Sequence, residues 1–192
     1  SDLEFIYKTS NFIETLDYLS DVIPEFVDID DDGDLDLFLG TDFDPSSFPW
    51  SGKIIFFENI GNDENQEPIW SYVDDNLLNG AEGNNFSPEF SDLDFDGDLD
   101  LIVGDFNGSI KYYENQSTLY EINFVHIESF DNIDLPGYAN PELIDIDNDN
   151  DYDLFIGDLN GSIYFYENIG SGSNFIFEFR TNDYYGINVN FR

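Results

Sequence analysis

The chain has 192 residues, 41% apolar and 18% aromatic, with 43 acidic residues against 5 basic ones and a formal charge of −38. That much apolar material can fill a core, and the acids alternate with Phe, Tyr, Ile and Leu, which excludes an acidic disordered tail. The charge repels nucleic acid and anionic membranes, so cations are the natural partners.

Cysteine is absent, which removes disulfides and thiolate metal sites. Ser1-Asp2-Leu3 carries no basic-then-apolar leader and no apolar run of spanning length follows. The sequence therefore reads as a mature or excised segment with no membrane insertion.

In chain order, Phe5-IYKTSNF alternates and predicts a strand. Pro24-EFVDIDDDGDLDLFLG, ending at Gly40, is an Asp-rich loop followed by a short apolar strand. An insertion within Thr41 to Lys53 carries Phe48, Pro49 and Trp50, and is expected to be a packed cap or a partner contact. Ile54-IFFEN and Trp70-SYVDDN predict two further strands.

The pattern then repeats. Pro88-EFSDLDFDGDLDLIVG ends at Gly104, and Pro141-ELIDIDNDNDYDLFIG ends at Gly157. The three prolines are spaced by 64 and 53 residues. Asp105-FNGSIKYYEN and Asp158-LNGSIYFYEN place Asn-Gly between apolar runs, the signature of a tight hairpin. Ile122-NFVHIES and Phe177-EFRTNDY continue the series of strands. The expected division is a first repeat over about 1–65, a second over 66–118, a third over 119–174 and the start of a fourth over 175–192. Each repeat supplies about four short strands, as propeller blades do.

Each loop sets Asp at positions 1, 3, 5, 7 and 9. They are Asp28, Asp30, Asp32, Asp34 and Asp36; Asp92, Asp94, Asp96, Asp98 and Asp100; and Asp145, Asp147, Asp149, Asp151 and Asp153. Such crowding is unfavourable without a cation. Calcium, with its many oxygen ligands and flexible geometry, suits short carboxylates at positions 1, 3 and 5, a carbonyl near position 7, and the Asp at position 9 directly or through water. Magnesium demands stricter geometry, and zinc or copper would favour His or Cys. Gly33 and Gly97 supply the sharp turn at position 6, where Asn150 stands in the third loop. Leu39, Val103 and Ile156 at position 12 exclude an EF-hand. About three calcium ions would change −38 only to −32.

The motif P-x-F-x-D-x-D-x-D-G-D-x-D-L-x-x-G, followed by the N-G-S-I-x-Y-x-E-N hairpin, resembles the FG-GAP or VCBS-type repeat of integrin α-subunit propellers and many secreted bacterial proteins. The resemblance covers nearly the whole chain and implies calcium at the Asp residues just named. It also implies an all-β fold of propeller-type four-stranded blades, three full repeats plus part of a fourth, which is not a closed ring by itself. Exposed blade faces then call for self-association or neighbouring blades of a longer chain.

The expected function is a non-catalytic extracellular or cell-surface module, structural or adhesive. One alternative is the propeller region of a secreted polysaccharide-active enzyme. Against it, His126 is the only histidine, and Lys8, Lys53, Lys111, Arg180 and Arg192 are scattered. Another is recognition of a carbohydrate or protein ligand through Phe48 and Trp50 or the pairs Tyr112 with Tyr113 and Tyr184 with Tyr185. Sequons at Asn85, Asn107, Asn115 and Asn160 suit glycosylation, although Asn-Gly-Ser at Asn107 and Asn160 is already demanded by the hairpins.

Overall fold

The computed structural model describes residues 21–42, 51–74, 77–78, 81–118, 122–127, 133, 135–171 and 173–187. The strand expected at Phe5, the Phe48–Trp50 insertion, Lys8 and Arg192 lie outside them. Among the described residues the fold is all-β: three antiparallel four-stranded sheets, none closed into a barrel.

The first sheet is a meander of β1 (Ile23–Val27), β2 (Asp36–Gly40), β3 (Ile54–Asn62) and β4 (Pro68–Asp74). The second joins β5 (Ser87–Ser91), β6 (Asp100–Gly104), β7 (Ile110–Asn115) and β8 (Phe124–Ile127) in the same order. The third joins β9 (Asn140–Ile144), β10 (Asp153–Gly157), β11 (Ile163–Asn168) and β12 (Phe177–Thr181). Register repeats with the sequence: Pro24 faces Leu39, Pro88 faces Val103 and Pro141 faces Ile156. Each proline sits on the first, edge strand of its sheet, where the missing N–H costs no ladder bond.

The sheets are offset by one strand from the expected repeat boundaries. The Trp70 segment, expected to open the second repeat, is β4 of the first sheet, and the strand at Phe124 likewise completes the second. Phe177–Thr181, expected to open a fourth repeat, pairs with β11 and completes the third. The reason is local. Asp63 accepts hydrogen bonds from the backbone N–H of Asn65 and Glu67 and so closes a short hairpin from β3 to β4. Asn168 does the same for β11 and β12 through Gly170 and Ile176. A strand joined by a short capped turn pairs with its predecessor.

Two cores lie between neighbouring sheets. Phe38, Ile54 and Phe56 of the first pack on Phe86, Leu101, Val103, Tyr113 and Phe124 of the second. Ile102, Ile110 and Tyr112 of the second pack on Leu143, Leu154 and Ile156 of the third. Phe38 is fully buried, stacks on Phe56 at 4.5 Å between ring centroids and meets Phe90 at 4.4 Å. Each such side chain contributes about 1.5–3 kcal/mol on burial, so the sheets are held together chiefly through these interfaces.

The junctions are also sealed by backbone. Phe86 N donates to Thr41 O at 3.2 Å and Asn85 N to Asp42 O at 3.0 Å. At the second junction Ala139 N donates to Asp105 O at 3.0 Å and Tyr138 N to Phe106 O at 2.9 Å. So close an approach requires glycine at the end of the second strand. A Cβ on Gly40 would lie 1.9 Å from Phe86 O, and one on Gly104 would lie 2.1 Å from Ala139 O.

Glu25, Glu89 and Glu142 follow the three prolines, and the first strands bring them near one another. Glu89 accepts from Leu143 N at 3.3 Å across the second junction. Burial, and then Glu142 and Glu25, push its carboxyl up to about 7 despite that bond. A folded pKa above the ordinary 4.5 means that its favourable contribution is complete below pH 4.5 and is lost as pH rises through about 7. Glu89→Gln is therefore expected to stabilise the chain at pH 8 by about 1–2 kcal/mol, after discounting for partial exposure. At pH 5 it should have little effect. Urea unfolding of both proteins at the two pH values checks this.

Candidate metal centres

Each Asp loop connects the first and second strands of a sheet, so all three occupy the same place in the repeat. The loops are built by their own carboxylates. Asp28 accepts from Asp32 N at 3.0 Å and Gly33 N at 2.9 Å, and Asp30 accepts from Asp32 N at 3.3 Å. Asp92 and Asp94 each accept from Asp96 N at 3.1 Å. Asp145 accepts from Asp149 N at 3.1 Å and Asn150 N at 3.2 Å.

Position 6 has the expected positive φ: 95° at Gly33, 101° at Gly97 and 73° at Asn150. Asparagine thus serves where glycine stands in the other two loops. Position 4 is also left-handed, with φ of 58° at Asp31, 60° at Phe95 and 63° at Asn148. Sequence reasoning missed this because neither Phe95 nor the charged Asp31 advertises such a backbone.

The result is three carboxylate triads: Asp28, Asp30 and Asp32; Asp92, Asp94 and Asp96; Asp145, Asp147 and Asp149. Within each, one oxygen per residue lies within 4.8 Å of the others. All donors are hard oxygens, and each triad could hold a metal ion.

At position 7 the side chain, rather than only the expected carbonyl, is well placed. In the second and third loops Asp98 Oδ1 and Asp151 Oδ1 are buried without a hydrogen-bond partner. Burial, and then Asp96, push Asp98 up to about 6. Burial and Asp149 do the same to Asp151. An orphaned, desolvated carboxylate oxygen beside a carboxylate triad is what a bound cation would satisfy.

Position 9 lies outside the triads and ties the loop to the sheet. Asp36 accepts from Asn59 N at 2.8 Å and Ile29 N at 3.3 Å. Asp100 accepts from Asn115 N at 2.9 Å, Leu93 N at 3.3 Å and the Tyr112 hydroxyl at 2.9 Å. Asp153 accepts from Asn168 N at 2.9 Å. These three Asp are 1–2% exposed. They fix the loop base against the third strand, so the triads sit on a rigid support. Position 12 is a ladder residue in every repeat, which leaves no EF-hand ligand there.

The other candidates fall elsewhere. Tyr112 and Tyr113 are buried in the two inter-sheet cores. Tyr184 packs edge-on against Phe155 and Phe165, while Tyr185 is 88% exposed. His126 is exposed on β8 with its ring 5.3 Å from Tyr113. Lys111 donates to Glu82 O, and Arg180 pairs with Glu167 and Glu178. Among the sequons, Asn107 and Asn160 are exposed and Asn115 is buried. No protein-family model, curated protein or solved structure matches the chain.

Proposed function

We propose that the chain is a non-catalytic, calcium-stabilised repeat module of the FG-GAP/VCBS type, structural or adhesive, working outside the cell. It acts within a longer propeller or through association of its own copies. The observation that carries this reading is the threefold recurrence of the triad on a buried Asp support, with orphaned carboxylate oxygens beside two of the three.

Calcium fits the all-oxygen donor set, and sites of the extracellular class have dissociation constants of about 10⁻⁴–10⁻³ M. The loops join strands that build the inter-sheet cores, so an ion that fixes a loop also favours the assembled sheets. A recognition role is the second reading. It is favoured by a groove of about 630 Å³ between the first two sheets, lined by the apolar Ile29, Phe56 and Ile122 together with the acidic Asp30, Glu58 and Asp98.

The test is calorimetric titration of the metal-stripped chain. Calcium is expected to bind at about three equivalents, and magnesium at equal concentration to compete poorly. Equal binding of the two ions would remove calcium from the account.

A further inference from the structure

The second and third Asp loops touch, and they do so through residues that break the repeat. Phe95 stands at position 4 of the second loop, between Asp94 and Asp96 of its triad. Tyr152 stands at position 8 of the third, between Asp151 and the buried Asp153. Across the junction their rings stack, with centroids 6.5 Å apart and planes 11° from parallel, within the range of attractive aromatic pairs.

Neither residue is what its own loop asks for. Position 4 is left-handed in all three loops, and Asp31 and Asn148 are residue types that tolerate such a backbone. Phe95 is bulky, has φ of 60° and is still 45% exposed, so neither backbone preference nor burial accounts for it. Position 8 is Leu35 in the first loop and Leu99 in the second. At the first junction the corresponding pair is Asp31 with Leu99, which has no rings to stack.

A second link runs beneath the first. The Tyr112 hydroxyl donates to Asp100 at the base of the second loop. The Tyr112 ring lies in the core that also holds Leu154 and Ile156, on the strand that leaves the third loop. Its counterpart in the first sheet is Phe56, which has no hydroxyl to offer Asp36. The loops in contact are also the two whose position 7 keeps an orphaned oxygen, on Asp98 and Asp151.

We infer that the second and third loops bind calcium as a positively cooperative pair, coupled through the Phe95–Tyr152 contact. This deepens the module reading and rests on it for the identity of the ion. An ion held by Asp92, Asp94 and Asp96 fixes the backbone on both sides of Phe95, and with it the place of the ring. That ring holds Tyr152, and the chain on either side of Tyr152 carries Asp151 and Asp153. Ordering done for the first ion is not repeated for the second, and the coupling acts equally in both directions.

The experiment is calorimetric calcium titration of the whole chain with the first triad disabled by Asp28→Ala and Asp30→Ala, so that only the coupled pair reports. Phe95→Asn removes the ring and keeps a residue suited to the left-handed backbone; Tyr152→Leu restores the residue of the other loops. Each is expected to lower the product of the two binding constants by about fivefold or more, and the double variant by no more than either alone. Two controls separate coupling from a local role. With the third triad disabled by Asp145→Ala and Asp147→Ala, Phe95→Asn should leave the second loop's affinity unchanged. With the second disabled by Asp92→Ala and Asp94→Ala, Tyr152→Leu should leave the third loop's affinity unchanged.

Ring variants without effect on the pair, effects that add in the double variant, or equal losses in the control chains would overturn the inference. Ions that bind independently at all three loops defeat only the coupling and leave the module reading standing. A chain that binds no calcium defeats the metal reading, and the coupling with it.

Discussion

On the proposed calcium reading, removing the ion is expected to lower the melting temperature by about 10–20 °C or, where the chain is marginally stable, to unfold it at room temperature. At about 2 mM calcium and a dissociation constant near 10⁻⁴ M, one site adds roughly 1.8 kcal/mol by linkage. Three sites then add about 5 kcal/mol, against a whole-domain stability of about 5–15 kcal/mol. Chelation also restores full repulsion within the triads, in a chain that already carries a formal charge of −38. Thermal melts by circular dichroism with calcium, and with excess chelator at constant ionic strength, measure the difference. A shift of only a few degrees would mean that the loops are held by their own Asp-to-backbone hydrogen bonds and not by an ion.

The second large effect concerns the junctions and is independent of metal. Gly104→Ala places a methyl carbon 2.1 Å from Ala139 O, a contact with backbone that no side-chain rotation relieves. The second and third sheets must separate locally, which strains the Ala139–Asp105 hydrogen bond and opens the core around Leu143 and Ile156. The expected loss is about 3 kcal/mol or more. Gly157→Ala, at the same position of the third sheet, meets among the described residues only the Asn140 side chain at 3.8 Å and should change the stability by less than about 0.5 kcal/mol. Urea unfolding of the pair, with calcium saturating, isolates the junction. Equal effects at the two glycines would show that the approach of the sheets is not what the motif's final glycine serves.

Much of this architecture was legible from residues. Proline, the Asp series and the closing glycine recur in phase, and the Asn-Gly pairs mark the β6–β7 and β10–β11 hairpins. What could not be read was the phase of the sheets. A strand at Trp70 or Phe177 falls at the same repeat spacing whether it begins one sheet or ends another. Only the hydrogen bonds of Asp63 and Asn168 with the ensuing turns decide between them.

The loops were legible as candidate metal sites from the spacing of Asp at positions 1, 3 and 5, the three residues that form each triad. The same alternation gave position 9 no separate identity. Asp36, Asp100 and Asp153 differ from the triad residues in burial and in their backbone donors, and both depend on β3, β7 and β11 being folded over the loop base. The hydroxyl of Tyr112 on Asp100 belongs to the same class, a contact between residues 12 apart that alternation alone does not announce.

The most direct measurement is the number of calcium ions bound per folded chain, with one loop disabled as the internal reference. The account predicts about three for the wild type and about two for the Asp92→Ala, Asp94→Ala double variant, whose Asp100 support is left intact. A wild-type count near zero, or a count unchanged by the double variant, would contradict the assignment of the triads as the ion sites.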